Sequence, residues 1–160
     1  MQDRGLLFMI PEVTEDNVAE LIDEVGRTQP YLSAYMMTYA EDILNPDEQA
    51  ILFDHFLLVW YLRTKSEAPP AKASTALIDK KQRKNHQMSR YLAKEPQEDA
   101  ERTVQLLSKN YKSFDLLDLA GRMLYGELLA ERIRPKGYEL MLGALKTAID
   151  CMEPDNENQS

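Results

Sequence analysis

Few side chains in this sequence belong to the types that catalyse reactions or bind metal ions. The 160 residues include two histidines, His55 and His86, and one cysteine, Cys151. A structural zinc site takes four ligands, mostly Cys and His, which these three residues do not supply. A di-iron bundle requires Glu-x-x-His pairs, but Leu52 and Arg83 stand three residues before the two histidines. We therefore expect no metal site and no cofactor.

Motifs for nucleophilic catalysis and phosphate binding are missing as well. The sequence contains no Gly-x-Ser-x-Gly elbow, and its six glycines form neither of the common phosphate-binding loops. Cys151 lies near the C-terminal end of a predicted helix, where the helix dipole opposes formation of a thiolate. These observations favour a non-enzymatic protein, although carboxylates brought together from separate helices leave no linear motif.

Four side chains are candidates for binding a ligand or a partner. Tyr31, Tyr35 and Tyr39 recur every four residues and form a stripe along one border of a predicted helix. Tyrosine combines an apolar body with a polar tip, so the stripe suits a partner surface, a ligand groove or a bridge between core and solvent. His55 projects among apolar residues of the next helix, either as a hydrogen-bonded neutral histidine or as a pH-sensitive, ligand-orienting group.

Positive charge is concentrated in one segment of an acidic chain. The net charge is -8, whereas residues 72–94 contain seven Lys or Arg and one Asp, a local net charge of +6. A solvated face, packing against the protein's own acidic helices and binding of an external partner all explain such a segment. An acidic surface repels phosphate, so general nucleic-acid binding is not expected. The candidates for electrostatic contact with a partner are Lys80, Lys81, Arg83, Lys84 and Arg90.

The strongest helix signals lie in residues 30–65 and predict a buried helical hairpin. The first arm, 30–44, has a broad apolar face. Asn45 then provides an N-cap and Pro46 a first helical position. The second arm, 46–65, is apolar on most sides, as is typical of a helix surrounded by neighbours. Its predicted solvent-facing strip consists of Asp47, Asp54, Tyr61 and Lys65.

Further helices are predicted on both sides of this hairpin. Thr14 suits the cap of a first helix, and Ser74 or Thr75 the cap of a helix that follows a Pro-containing connector at 66–75. The all-polar run 79–87 predicts an exposed or mobile basic segment. Pro96 suits the start of a fifth helix. A sixth helix is predicted from 113 to 133, a break at 135–137, a last helix at 138–152 and a disordered tail at 154–160.

Two glycines inside the sixth helix are unusual, because each costs about 1 kcal/mol relative to Ala. Gly121 and Gly126 favour close approach of a neighbouring helix, with contact to a ligand as the alternative. The apolar series of the same helix includes Leu119.

Together these patterns predict an all-α protein with a single domain at 1–153, built from six or seven helices around the hairpin. One cysteine and the lack of a signal-peptide pattern indicate a reducing cytoplasm. No segment is apolar enough to predict a membrane span. The leading hypothesis is an interaction module that binds a protein partner or itself. The alternatives are an apolar small molecule bound between helices and nucleic-acid association through residues 72–94.

Overall fold

The computed structural model describes residues 13–94, 96–98, 102 and 113–153. All regular structure in this part of the chain is helical, with no strand, which confirms the predicted all-α bundle. The six helices are α1 (Glu15–Thr28), α2 (Pro30–Thr38), α3 (Pro46–Ser66), α4 (Thr75–Lys94), α5 (Phe114–Leu129) and α6 (Pro135–Met152). Two predicted features lie outside the described residues: most of the fifth helix that was expected after Pro96, and the tail at 154–160.

Polar caps fix where the helices begin. Thr14 caps α1, and the Ser74 hydroxyl accepts a hydrogen bond from the backbone of α4. Asn45 and Glu48 form a reciprocal capping box at the start of α3, behind the first helical residue Pro46. These three starts confirm the predicted ones.

The chain departs from the predicted helix limits in two loops. The first arm of the hairpin ends at Thr38, because Ala40 adopts a left-handed backbone with φ 48° that a helix cannot contain. Pro135 does not interrupt the chain but is the first residue of α6. A proline is tolerated there because the first N–H groups of a helix have no partner within it. The helix predicted to run to residue 133 is shorter: α5 ends at Leu129. In the loop between α5 and α6, Glu131 has a left-handed backbone with φ 60°.

The second arm of the hairpin, α3, lies at the centre of the bundle. It packs against α1, α2, α5 and α6, while α6 also packs against α4 and α5. Phe56 and Trp60 are among the largest fully buried side chains, and the Trp60 indole donates a 3.3 Å hydrogen bond to Glu24. Asp54 was expected in the solvent-facing strip but is buried, so fewer positions of α3 reach solvent than its polarity pattern indicates.

The connector between α3 and α4 is held by one side chain from another part of the chain. The amide of Gln29 donates to Ala71 O at 2.9 Å and accepts from Ala73 N at 2.9 Å. Gln29 is fully buried in the one-residue link between α1 and α2. This contact anchors a segment that has no helical hydrogen bonds of its own and thereby positions the start of α4.

Candidate interaction surface

The tyrosine stripe of α2 is divided between solvent and core. Tyr31 is exposed, with the Lys72 ammonium 5.8 Å from its ring centroid. Tyr35 and Tyr39 are half-buried and make an edge-to-face contact at 5.4 Å. Burial, with a smaller contribution from Tyr39, raises the pKa of Tyr35 well above its ordinary value. The three rings therefore do not form one continuous surface.

The Tyr35 hydroxyl group points into the contact between α2, α4 and α6. It is buried near Thr147 and Asp79 without a well-formed hydrogen bond to any described residue. Nearby, Asn85 of α4 donates to Thr147 at 3.2 Å and to Asp150 at 3.0 Å, which joins the helices through polar groups. The hydroxyl group of Tyr35 is therefore directed away from solvent, although its ring is half-buried.

His55 of α3 lies in the core and faces α5, away from Tyr35. Its Nδ1 is 2.8 Å from Ile51 O, and a carbonyl oxygen can only accept, so Nδ1 carries the proton. Burial is the largest influence and lowers the His55 pKa, while the Ile51 carbonyl and Glu127 oppose this shift. Burial therefore favours the neutral form of the imidazole. Nε2 is buried near the backbone of Met123 and makes no well-formed hydrogen bond to a described residue.

Tyr35 and His55 are consequently not neighbours in a common site. The first is directed at α4 and α6, the second at Met123 and Glu127 of α5. A ligand site that combines them does not exist in this arrangement. The sequence alone could not reveal this, because both residues occupy the border of an apolar helix face.

The basic candidates all lie on α4. Lys80, Arg83, Lys84 and Arg90 are exposed, whereas Lys81 is 8% exposed and faces the bundle. The inner side of the helix contributes Ile78 to the core and Asn85 to the polar contact with α6. Four of the five candidates therefore share the outer side of one helix.

A buried carboxylate organises the loop that precedes α6. Glu48 is fully buried and pairs with Arg134 through both side-chain oxygens, at 2.6 and 3.0 Å, and accepts from the Arg134 backbone N–H at 2.9 Å. The Arg134 side chain also donates to Ile43 O at 2.7 Å. Hydrogen bonds from Arg134, opposed by burial, lower the pKa of Glu48 to about 2.

A glycine makes room for this carboxylate. A Cβ atom on Gly137 would lie 2.7 Å from Glu48 Oε2, which is too close for any real contact. The Asn45 cap follows from the sequence, but the contact of Glu48 with Arg134 in the loop before α6 does not, because Arg134 lies 86 residues further along the chain.

The outward side of α5 exposes four large apolar side chains. Its large apolar side chains there are Phe114 (37% exposed), Leu119 (36%), Tyr125 (50%) and Leu129 (68%). Between them lie Asp118 and Arg122, whose side chains form an exposed ion pair at 2.9 Å. Asp115 and Gly126 are also exposed. We refer to these eight residues, Phe114, Asp115, Asp118, Leu119, Arg122, Tyr125, Gly126 and Leu129, as the α5 face.

The two glycines of α5 have different surroundings. A Cβ on Gly121 would meet Leu142 of α6 at 3.6 Å, which is ordinary contact. A Cβ on Gly126 would meet nothing within 4 Å, so the expected close approach of a neighbouring helix is wrong at this position. The sequence also gave no sign that Leu119 is exposed, because α5 carries apolar residues on nearly all sides.

The described residues contain neither a cluster of metal-binding side chains nor a helix that could span a membrane. Within 13–94, 96–98, 102 and 113–153, no three His, Cys, Asp or Glu side chains are grouped closely enough to hold a metal ion. Across the same residues, every helix is either too short or too polar to cross a membrane. The α5 face and the outer side of α4 are two surfaces of distinctive composition among the described residues. No protein-family model, curated protein or solved structure matches this chain.

Proposed function

We propose that this protein is a helical interaction module that associates with another protein chain through the α5 face. The observation that carries the proposal is the exposure of four large apolar side chains on one side of one helix. Single exposed apolar residues are ordinary on a protein surface. Exposed apolar groups that share one side of a helix with polar residues, as these four share α5 with the Asp118–Arg122 pair, are typical of an interaction site.

The composition of the α5 face fits a protein interface. Two of its large side chains are aromatic and one is an arginine, the residue types that are enriched at interfaces. Leu129 has the largest exposed fraction of the four large apolar side chains, and burying it on association would stabilise the complex. The Asp118–Arg122 pair supplies directional contacts beside these apolar groups.

Gly126 adds a second line of support. It lies in the last turn and a half of α5, where an alanine would stabilise the helix by about 1 kcal/mol. Nothing inside the protein occupies the space of its missing side chain. Gly126 therefore lowers the stability of α5 without making room for any group inside the protein. The approach of a partner backbone to Gly126 would explain why a glycine is present.

Site-specific photo-crosslinking in the protein's own cells tests the proposal. A benzophenone amino acid at Leu129 is expected to give a covalent adduct with a protein chain. The matched control is the same amino acid at Asp23, an exposed position on α1, which is expected to give none. Absence of an adduct at Leu129, or equal adducts at both positions, would count against the α5 face.

A second candidate function rests on the outer side of α4. Lys80, Arg83, Lys84 and Arg90 are exposed along one helix of an otherwise acidic protein. A row of outward-facing cations suits an anionic partner, either an acidic protein segment or nucleic acid. The net charge of -8 weakens attraction to nucleic acid at long range, so this candidate ranks second.

Reversing two of these charges tests nucleic-acid binding by the outer side of α4 separately from the α5 face. Arg83→Glu with Arg90→Glu is expected to abolish any salt-dependent binding to RNA or DNA, measured by fluorescence anisotropy between low and physiological salt. The unmodified protein must first bind with a measurable salt dependence. If it does not, or if the double variant binds equally well, the outer side of α4 has no role in nucleic-acid binding.

A further inference from the structure

The polar residues of the α5 face are self-complementary. Asp118 and Arg122 are four residues apart, lie near the middle of the exposed side of α5 and have side chains 41% and 78% exposed. If two copies of α5 pack antiparallel with the twofold axis level with Ala120, Asp118 of one copy lies level with Arg122 of the other. Symmetry repeats the contact, so a dimer gains two acid–base pairs across its interface.

The same register brings like side chains together on both sides of those pairs. Phe114 and Tyr125 are eleven residues apart and hence about 20° apart around the helix, on the same border of the α5 face. In the antiparallel pair, Phe114 of one copy lies within about 1.5 Å, along the helix axis, of the level of Tyr125 of the other. Aromatic rings at such positions can make edge-to-face contacts.

On the opposite border of the α5 face, Leu119 of one copy lies close to Leu119 of the other. Leu119 lies one residue from the level of the axis, so the two copies of Leu119 are offset by only about 3 Å along the helices. Gly126 falls opposite Asp115 of the second copy. Its missing side chain leaves space for the approaching helix, in agreement with the open surroundings of Gly126.

We infer that the partner of the α5 face is a second copy of this chain, docked through antiparallel α5 helices about a twofold axis near Ala120. This inference rests on the function proposed above and specifies its partner. Acid opposite base, aromatic opposite aromatic and leucine opposite leucine in one register distinguish it from association with an unrelated protein. The contact is isologous, so it closes at two copies and does not propagate.

Charge reversal and mixing test the register. Asp118→Arg alone, or Arg122→Asp alone, places like charges opposite each other in both symmetric contacts. Each variant is expected to raise the dimer dissociation constant by roughly tenfold in sedimentation equilibrium. An equimolar mixture of the two variants restores opposite charges in a heterodimer, and its dissociation constant is expected to return to near that of the unmodified protein.

The mixture is informative because the Asp118–Arg122 pair within each helix stays broken in both variants. Recovery of the dimer on mixing can therefore arise only between chains. Circular dichroism of each variant is expected to show a folded helical protein, since both side chains are exposed. The exposed substitution Asp23→Arg on α1 is the control and is expected to leave dimerisation unchanged.

Two results would overturn this inference. The first is a monomer at every concentration up to about 100 μM, far above the range of ordinary specific affinities. The second is a dimer that neither variant weakens or that mixing does not restore. In either case an adduct of Leu129 with a different protein would still support the proposed function, so the two proposals can fail separately.

Discussion

At the scale of single residues, several polar groups are fixed by partners that are distant in the chain. Glu48 completes a helix cap that the sequence predicts, and its carboxylate also holds Arg134 from a loop 86 residues away. Burial lowers the pKa of His55 and favours its neutral form, against the opposing influence of Glu127. The sequence indicated the local roles of these residues. The surroundings of each side chain became clear only from its neighbours in the fold.

The two glycines Gly137 and Gly126 should respond oppositely to the same substitution. Gly137→Ala places a methyl group 2.7 Å from Glu48 Oε2, and the carboxylate cannot move without losing its hydrogen bonds. We expect a loss of about 1–2 kcal/mol in the free energy of unfolding, after the gain in helix propensity is deducted. Gly126→Ala meets no neighbour and should gain about 1 kcal/mol.

Urea denaturation of the monomer measures both variants. Gly143→Ala is a further control, because a Cβ atom on this α6 glycine also meets nothing within 4 Å. Equal changes in stability for Gly137→Ala and Gly143→Ala would show that the Glu48 carboxylate moves freely. The expected order of stability is Gly126→Ala above the unmodified protein and Gly137→Ala below it.

At the scale of elements, side chains that bind backbone carbonyls determine how the helix ends are arranged. Arg63 of α3 donates to Ala68 O at 2.8 Å and to Met152 O at 2.9 Å. The latter carbonyl lies at the end of α6, where the final carbonyl groups have no helical partner. Gln29 holds the other end of the same connector. The link between α3 and α4 is therefore fixed at two points.

Gln29→Glu should loosen this connector. The glutamate can still accept from Ala73 N–H, but it cannot donate to Ala71 O and it introduces a buried negative charge. We expect a loss of about 2 kcal/mol in unfolding free energy and faster proteolysis within residues 67–74. The control is Gln87→Glu, an exposed glutamine of α4, which should change neither quantity. Unchanged proteolysis in Gln29→Glu would mean that other contacts hold the connector.

At the scale of the whole molecule, the bundle is a central helix with its neighbours joined by buried polar contacts. The Glu48–Arg134 contact links the loops before α3 and α6, and it also reaches Ile43 in the turn that follows α2. Its strength should therefore appear in the stability of the complete fold. The titration of Glu48 provides a way to measure it.

The stability of the protein should fall in acid through Glu48. Its pKa in the folded protein is about 2, below its ordinary value of 4.5, so the unfolded chain binds the proton first. The stabilisation is complete above pH 4.5 and is lost as the pH falls towards 2. Glu48→Gln should lower the unfolding free energy at pH 7 by about 2 kcal/mol and reduce the slope with pH in that range.

Thermal unfolding between pH 2.5 and 7 tests this dependence. Glu41→Gln is the matched control, because Glu41 is an exposed carboxylate on the neighbouring turn. It should leave both the stability at pH 7 and the slope close to those of the unmodified protein. An acid slope that is the same in Glu48→Gln as in the unmodified protein would assign the dependence to other carboxylates.

The sequence by itself determined the class of the fold and much of its local detail. Apolar periodicity without strand alternation gave the helices, and Thr14, Asn45 and Ser74 marked where three of them begin. These features depend on residues within a few positions of one another. The physical reason is that helical hydrogen bonds and caps are short-range, so their signals remain readable along the chain.

Only the tertiary structure decided which apolar surfaces are covered. Asp54 is buried and Leu119 is exposed, contrary to what their positions in the sequence indicated, and Tyr35 is separated from His55. A helix that is apolar on most sides does not specify which side meets solvent, because that depends on where its neighbours pack. The α5 face, on which the proposed function rests, is visible only once the other helices of the described residues have taken their places.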